Sequence, residues 1–330
     1  MLLLAIAAAV GGAYYLWQWS QQAVLSEGEA KEFVIKPGSS IKTAAQQIQQ
    51  AGIPINPLLF ESLARLQQEP RIKAGTYQLE IGKTPQDLLR KLVKGEFLTV
   101  KLTIVEGWTF AQMRKLVNQH PGLNHETQFW SDQDLLKKLG AEATQAEGWF
   151  FPATYTVNKG SSDFQIYQQA WQMMQTRLQQ AWQARDAGLP YENPYQALIM
   201  ASIIEKETGH EADREQVASV FVNRLRLGML LQTDPTVIYG MGERYAGKIR
   251  KVDLQTDTPY NTYTRAGLPP TPIALPGAAA LQAALHPAPG KALYFVARGD
   301  GSSQFSETLE QHNQAVDRYI RGKTSSNRKH

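Results

Sequence analysis

A chain of 330 residues with 43% hydrophobic and 19% charged side chains has material for a large core, and for two domains plus attachments; it is not a disordered polymer. Its net charge of +4 is mild and lacks the dense basic patches expected of a nucleic-acid binder, so no nucleic-acid partner is expected. Cysteine is absent, which excludes disulfides, thiolate metal centres, iron–sulfur clusters, cysteine nucleophiles and a lipidated cysteine anchor, while leaving an oxidising compartment open.

Residues 1–19, MLLLAIAAAVGGAYYLWQW, carry no charged side chain. A run of about 18 or more apolar residues can span a bilayer as a helix. Tyr14, Tyr15, Trp17 and Trp19 gather at its far end, where aromatic rings anchor at an interface. This predicts a single-pass anchor in the plasma (inner) membrane, with the rest of the chain in the periplasm or extracytoplasmic space. A cleaved signal peptide competes with it, because VGGA offers small residues near a cut. Residues 20–31 are polar and small and fit a short stalk.

Residues 32–96 read as a small α+β module. Phe33-Val34-Ile35 alternates as a strand, Pro37-Gly38 turns, and Ser39 or Ser40 can cap a helix striped by Ile41, Ala44, Ala45 and Ile48. NPLLFESLARLQQ is a second helix and KAGTYQLEIGKT a strand. TPQDLLRKLVKG is a helix with Thr84 as cap and Gly95 as stop. The front half, FVIKPGSSIKTAAQQI, resembles a LysM carbohydrate-binding module; a plain α+β spacer without sugar affinity fits the same residues.

Residues 97–322 form the expected main body. FLTVKLTIVEGWT predicts a long strand, and EGWFFPATYTV an aromatic loop entering another. Helices are expected over DFQIYQQAWQMMQTRLQQAWQARDAG, ALIMASIIEKET and DREQVASVFVNRLRLG. Turns dominate from 228 to 277, ALYFVARG is a last strand, TLEQHNQAVDRYIRG a last helix, and 323–330 a disordered tail. The expected fold class is α+β: an N-terminal transmembrane helix, the small LysM-like module, and a larger, mostly helical catalytic domain.

The segment ASIIEKETGH sets Glu205, Lys206 and Glu207 behind an apolar run. At about 100° per residue the two carboxylates point about 160° apart. Glu205 continues the line of Leu198, Ala201 and Ser202, and Glu207 that of Met200, Ile203 and Ile204, so one of them is expected against packed structure. Burial raises a carboxyl pKa, as a general acid requires. If Gly209 merely ends the helix, 205–207 is instead its solvated last turn.

Other chemistries lack support. Glu207 and His210 make one Glu-x-x-His pair, but a di-iron site needs two, Gly209 interrupts the helix, and no His-Glu-x-x-His occurs. Neither Gly-x-Ser-x-Gly nor a nucleotide-binding glycine loop is present, so no metal or cofactor is expected. LQTDPTVIYGMG, DTPYNTYTRAGLPPTPI and LPGAAALQAALHP place Gln, Thr, Asn, Asp and Tyr in turns stiffened by proline. Such surfaces suit sugar hydroxyls and pyranose rings; an ordinary rigid loop, with Asp234 only an Asx-turn residue, accounts for them too.

The run ASIIEKET…VASVFVNRLRLGMLLQTDPTVIYGMG…YNTYTRAGLPPTPIALPGAAALQAALHP…LYFVA resembles the MltG (YceG-like) family of endolytic murein transglycosylases. With the anchor, the LysM-like module and EGWFFPATY, the resemblance covers nearly the whole chain. It implies that the catalytic acid is the first of EKET, Glu205, a choice helix geometry leaves open. It implies non-hydrolytic cleavage of the MurNAc–GlcNAc β-1,4 bond within glycan strands, leaving 1,6-anhydro-MurNAc and terminating nascent strands. Gln232, Thr233, Asp234, Tyr239, Tyr260, Asn261 and Tyr263 are expected to hold the strand. The implied partners are peptidoglycan strands, a membrane and peptidoglycan synthases. Two positions depart from the family: Ala153, where an acid is common, and Thr271, where glycine is. The rival readings are a non-catalytic, membrane-anchored peptidoglycan-binding scaffold and a pyridoxal-phosphate lyase, for which no motif lysine is placed to form a Schiff base.

Overall fold

The computed structural model describes residues 1–69 and 71–322, so the tail expected at 323–330 lies outside the described residues. The fold is mixed α+β and rich in helix, and among the described residues its strands form three two-stranded sheets. The chain divides into two units. One comprises Met1–Lys101, Pro121–Asn124 and Thr156–Ser162, and the other Leu102–His120, His125–Tyr155 and Asp163–His330.

The first unit begins with α1 (Leu2–Ser20). Leu3, Leu4, Ile6, Val10, Tyr14, Tyr15 and Trp17 are exposed on it. Trp19, expected at a membrane interface, packs with Leu16 against the core of this unit. Among the described residues no helix is long and apolar enough to cross a membrane.

Beyond α1 come β1 (Lys31–Ile35), α2 (Ile41–Gln50), α3 (Pro57–Leu66), β2 (Gly75–Leu79) and α4 (Pro85–Lys94). β1 and β2 pair antiparallel from Lys31↔Leu79 to Ile35↔Gly75, which sends Phe33, Ile35, Tyr77 and Leu79 into the core. The helix starts follow local chemistry. Ser40 accepts the Thr43 N–H at 3.1 Å, and Thr84 and Asp87 form a reciprocal capping box. Gly95 ends α4 at φ 74°, a left-handed conformation that costs glycine little.

Next, β3 (Thr99–Thr103) pairs with β4 (Thr154–Asn158). The long strand expected from residue 97 stops at Thr103. Gly107 turns the chain at φ 76°, and Thr109 opens α5 (Phe110–Gln119) through a capping box with Gln112. α6 (Asp132–Leu139) starts with the same device, built from Ser131 and Asp134.

In the second unit α7 (Phe164–Ala184), α8 (Pro194–Glu207) and α9 (Arg214–Arg226) follow the expected helices. The turn-rich region contains two more, α10 (Asp234–Met241) and α11 (Lys251–Gln255). AAALQAAL, read above as part of a turn surface, is α12 (Ala278–Leu285), as suits a run of strong helix formers. β5 (Tyr294–Ala297) and β6 (Ser303–Ser306) form an antiparallel hairpin against which α13 (Leu309–Tyr319) packs.

Helix α8 organises this unit. Asn193 caps it by accepting the Gln196 N–H at 3.1 Å, and residues 197–204 are all buried. A helix apolar on every side must be surrounded, and α7, α9 and α12 pack around it.

Thr84→Ala removes the side-chain half of one capping box in the first unit. It is expected to cost about 1 kcal/mol, read as a lower urea midpoint and as faster amide exchange in the first turn of α4.

Candidate active site

The last turn of α8 commits all three residues of Glu-Lys-Glu. Glu205 Oε2 accepts the Gly277 N–H at 2.9 Å, Lys206 Nζ donates to the Gly107 carbonyl at 3.1 Å, and Glu207 Oε1 accepts the Thr233 hydroxyl. Both carboxyls are partly buried, where the helical wheel anticipated one. The polar end of this helix is therefore built into the protein.

The partner of α8 is the segment 271–277, buried throughout. Its backbone is satisfied piecewise, as a buried chain outside regular structure must be. The Ile273 N–H goes to Ser202 Oγ at 3.0 Å, the Leu275 N–H to the Trp108 carbonyl at 2.7 Å, and the Leu275 carbonyl to the Gly107 N–H at 2.9 Å. Ser202 and Glu205 lie one turn apart on α8 and bracket this segment, delivering Gly277 to the carboxyl as the residue that caps α12. Burial pushes the Glu205 pKa above its ordinary value. The Gly277 N–H pulls it back, Glu106 pushes it up, and Arg214 and Lys206 pull it down.

Glu147 is a third carboxyl, and the analysis of the sequence did not single it out. It is buried, accepting the Phe110 N–H at the start of α5 at 2.9 Å and the Tyr239 hydroxyl at 3.0 Å, so both its oxygens are engaged. Burial raises its pKa to about 7 against these two donors. A local signal for it existed. Glu-Gly-Trp occurs at 106–108 and again at 147–149, and both glycines have positive φ, 76° and 83°. At Gly148 a Cβ would also stand 2.5 Å from Pro272, so this loop fits against 271–277 only as glycine.

The residues expected to hold a glycan fall into three groups. Tyr239 and Tyr260 stack edge-on with centroids 4.9 Å apart. The Thr271 hydroxyl donates to the Pro272 carbonyl at 2.8 Å, which leaves Tyr260 to donate to Thr271 at 2.9 Å. Thr271, the departure from the family pattern, thus orients Tyr260. Ala153, the other departure, packs against the core, and its carbonyl accepts the Ile104 N–H at 2.9 Å.

A second group surrounds Glu207. Burial raises the Glu207 pKa, the Thr233 hydroxyl lowers it, Asp234 raises it, and the buried Arg224 guanidinium lowers it. Asp234, exposed in the first turn of α10, accepts the Tyr263 hydroxyl at 2.6 Å. Burial first, then this bond, raises the Tyr263 pKa. Gln232 is exposed at φ 51°, unusual for a residue with a side chain, and its N–H bonds the Thr262 carbonyl at 3.0 Å. His210, considered above as a ligand beside Glu207, lies 3.4 Å from Asp213.

Asn261 stands apart from both groups. It is fully buried, and its amide donates to the carbonyls of Leu254 at 3.0 Å and Thr256 at 2.7 Å while accepting the Tyr263 N–H at 2.9 Å. Its polar atoms close the end of α11 and carry Tyr263.

With this geometry in place, a profile described as the YceG-like family matches residues 33–318. The chain belongs to the YceG-like family. An endolytic murein transglycosylase of Bacillus subtilis strain 168 is 29% identical over 332 residues, covering 95% of this chain and 92% of that protein. One from Streptococcus pneumoniae strain D39 is 27% identical across 94% of this chain, which spans only 63% of that relative's length. The crystal structure of a YceG-like protein from Listeria monocytogenes superposes with a TM-score of 0.55 at 31% identity, covering 87% of this chain and 98% of that one. The family match thus takes in the EKET turn, both Glu-Gly-Trp loops and the 271–277 segment.

The raised Glu147 pKa carries a consequence for stability. The folded protein holds this proton more firmly than the unfolded chain, so the contribution is complete below about pH 4.5 and is lost as pH rises through about 7. It amounts to about 3 kcal/mol or less. Glu147→Gln is expected to flatten that slope, measured as urea unfolding free energies across this range.

Proposed function

We propose that this chain is an endolytic transglycosylase that cuts murein glycan strands within their length, at the MurNAc–GlcNAc β-1,4 bond, with Glu205 as the single acid and base. The observation that carries the reading is the Glu205 carboxyl, held by burial toward its protonated form while the Gly277 N–H pins one of its oxygens. The first effect suits a proton donor. The second favours the carboxylate left behind, and a group that must be acid and then base needs both.

In this mechanism protonated Glu205 gives its proton to the glycosidic oxygen, and the bond from that oxygen to C1 of MurNAc breaks. GlcNAc leaves with a free 4-hydroxyl. The C6 hydroxyl oxygen of the same MurNAc closes onto C1, and its proton passes to the Glu205 carboxylate. The acid is regenerated and no water is consumed. A two-carboxylate hydrolase needs a nucleophile or a base for water. Here the attacking hydroxyl is already on the ring, at high effective concentration. Tyr239, Tyr260, Tyr263, Asp234 and the exposed Gln232 are the side chains offered to the strand.

We further read residues 1–19 as the anchor that keeps both units outside the cytoplasm at the plasma membrane, beside the synthases that make new strands. The exposed, charge-free apolar face of α1 supports this. Residues 32–96 are read as a LysM-like module. Recovery of full-length protein, Met1 included, in the soluble fraction of cells would refute the anchor.

Glu205→Gln is expected to fold normally and to yield no 1,6-anhydro ends from purified glycan, by mass spectrometry of the products. Glu207→Gln should retain most of the activity, since its carboxyl serves Thr233. Strand binding without cleavage by the unaltered protein would favour a non-catalytic scaffold.

A further inference from the structure

Gly277 brings a second carboxyl to Glu205. A Cβ built on Gly277 would lie 1.9 Å from Glu106 Oε1, 2.3 Å from its Cδ and 2.9 Å from its Cγ. The carboxyl end of Glu106 therefore lies across the Gly277 Cα, while the N–H on that same Cα is donated to Glu205 at 2.9 Å. Gly277 has φ −80°, which any residue adopts, so glycine is needed here for space and not for its dihedral freedom. A Cβ at Gly107, the residue after Glu106, would meet Glu205 Cγ at 3.7 Å, so this loop also lies against the Glu205 side chain.

The two carboxyls differ in environment. Glu106 is exposed and Glu205 partly buried, and two like charges on one site do not ionise together readily. The other charged groups facing Glu205 are Lys206 on its own helix and Arg214 at the start of α9, and both oppose this effect. The Lys206 ammonium donates to the Gly107 carbonyl, which ties the Glu106 loop to α8.

Resting on the transglycosylase reading above, we propose that Glu106 is a positioning residue for the reaction, its carboxyl group across Gly277 keeping the transferable proton on Glu205. It acts through Glu205 and does not itself exchange a proton with the sugar.

The test uses the full chain with carboxyl-¹³C glutamate, the Glu205 resonance being assigned by its loss in Glu205→Gln. In Glu106→Gln the Glu205 titration midpoint should fall by about one pH unit. The alkaline limb of glycan cleavage should move down with it, while the low-pH plateau rate stays within a few-fold. Glu106→Asp keeps the charge and should restore most of the midpoint. Gly277→Ala displaces the flexible Glu106 carboxyl while leaving the N–H, and should shift the midpoint in the same direction as Glu106→Gln. An unmoved midpoint in Glu106→Gln overturns the inference, whatever happens to the rate. The NMR readout needs no turnover, so a protein that leaves glycan uncut overturns the proposed function separately from this coupling.

Discussion

A carboxyl at the end of a helix that is apolar on every side has to find its donors inside the protein. Water reaches it only in part, and an unpaired buried charge costs far more than a hydrogen bond returns. The contact from the Gly277 N–H to Glu205 meets that demand, and much of the second unit is arranged to make it. Ser202 holds Ile273 one turn earlier, the Trp108 and Gly107 backbone grips Leu275, and α12 lies along α8 with Gly277 at its head. Segment 271–277 is a buried chain held by hydrogen bonds at Thr271, Ile273, Leu275 and Gly277. That makes it stiff, and stiffness is what a proton donor requires of its surroundings.

The same solution occurs twice. Glu147 sits on the Phe110 N–H at the start of α5, and Glu205 on the Gly277 N–H at the start of α12. Helix N-termini favour anions through their free N–H groups and their dipole. In both cases burial outweighs that help and the pKa stays raised. The outcomes still differ. Glu147 has both oxygens occupied and links α5 to Tyr239, whereas among the described residues Glu205 has a hydrogen bond on one oxygen only. A carboxyl with both oxygens in use braces a site, and one with an oxygen to spare can do chemistry.

Around Glu207 polar residues serve the frame. Thr233 spends its hydroxyl on Glu207, Arg224 spends its guanidinium on the carbonyls of Leu293, Leu230 and Leu231, and Asn261 spends its amide on the end of α11. Such turns are rich in Asn, Thr and Asp because irregular buried backbone needs side-chain partners. A composition suited to sugar hydroxyls is therefore also the composition a rigid buried loop needs, and Asn261 belongs to the second use.

By itself the sequence determined the elements whose causes are local. Ser40, Thr84 with Asp87, and Gly95 mark helix ends within three or four residues of their partners, so these helix ends were readable as written. The apolar run ahead of EKET likewise announced a buried helix ending in acids. The glycine and capping signals at 107–112, which cut a long strand to five residues and start α5, were just as local and were overlooked. Tertiary structure alone decided what each acid does. Glu205 meets Gly277 across 72 residues and Tyr239 meets Glu147 across 92, and neither separation leaves a periodicity in the chain. Proton affinity is set by burial and by charges a few ångströms away, so Glu147, Glu205 and Glu207 become different groups only once the fold has assigned their neighbours.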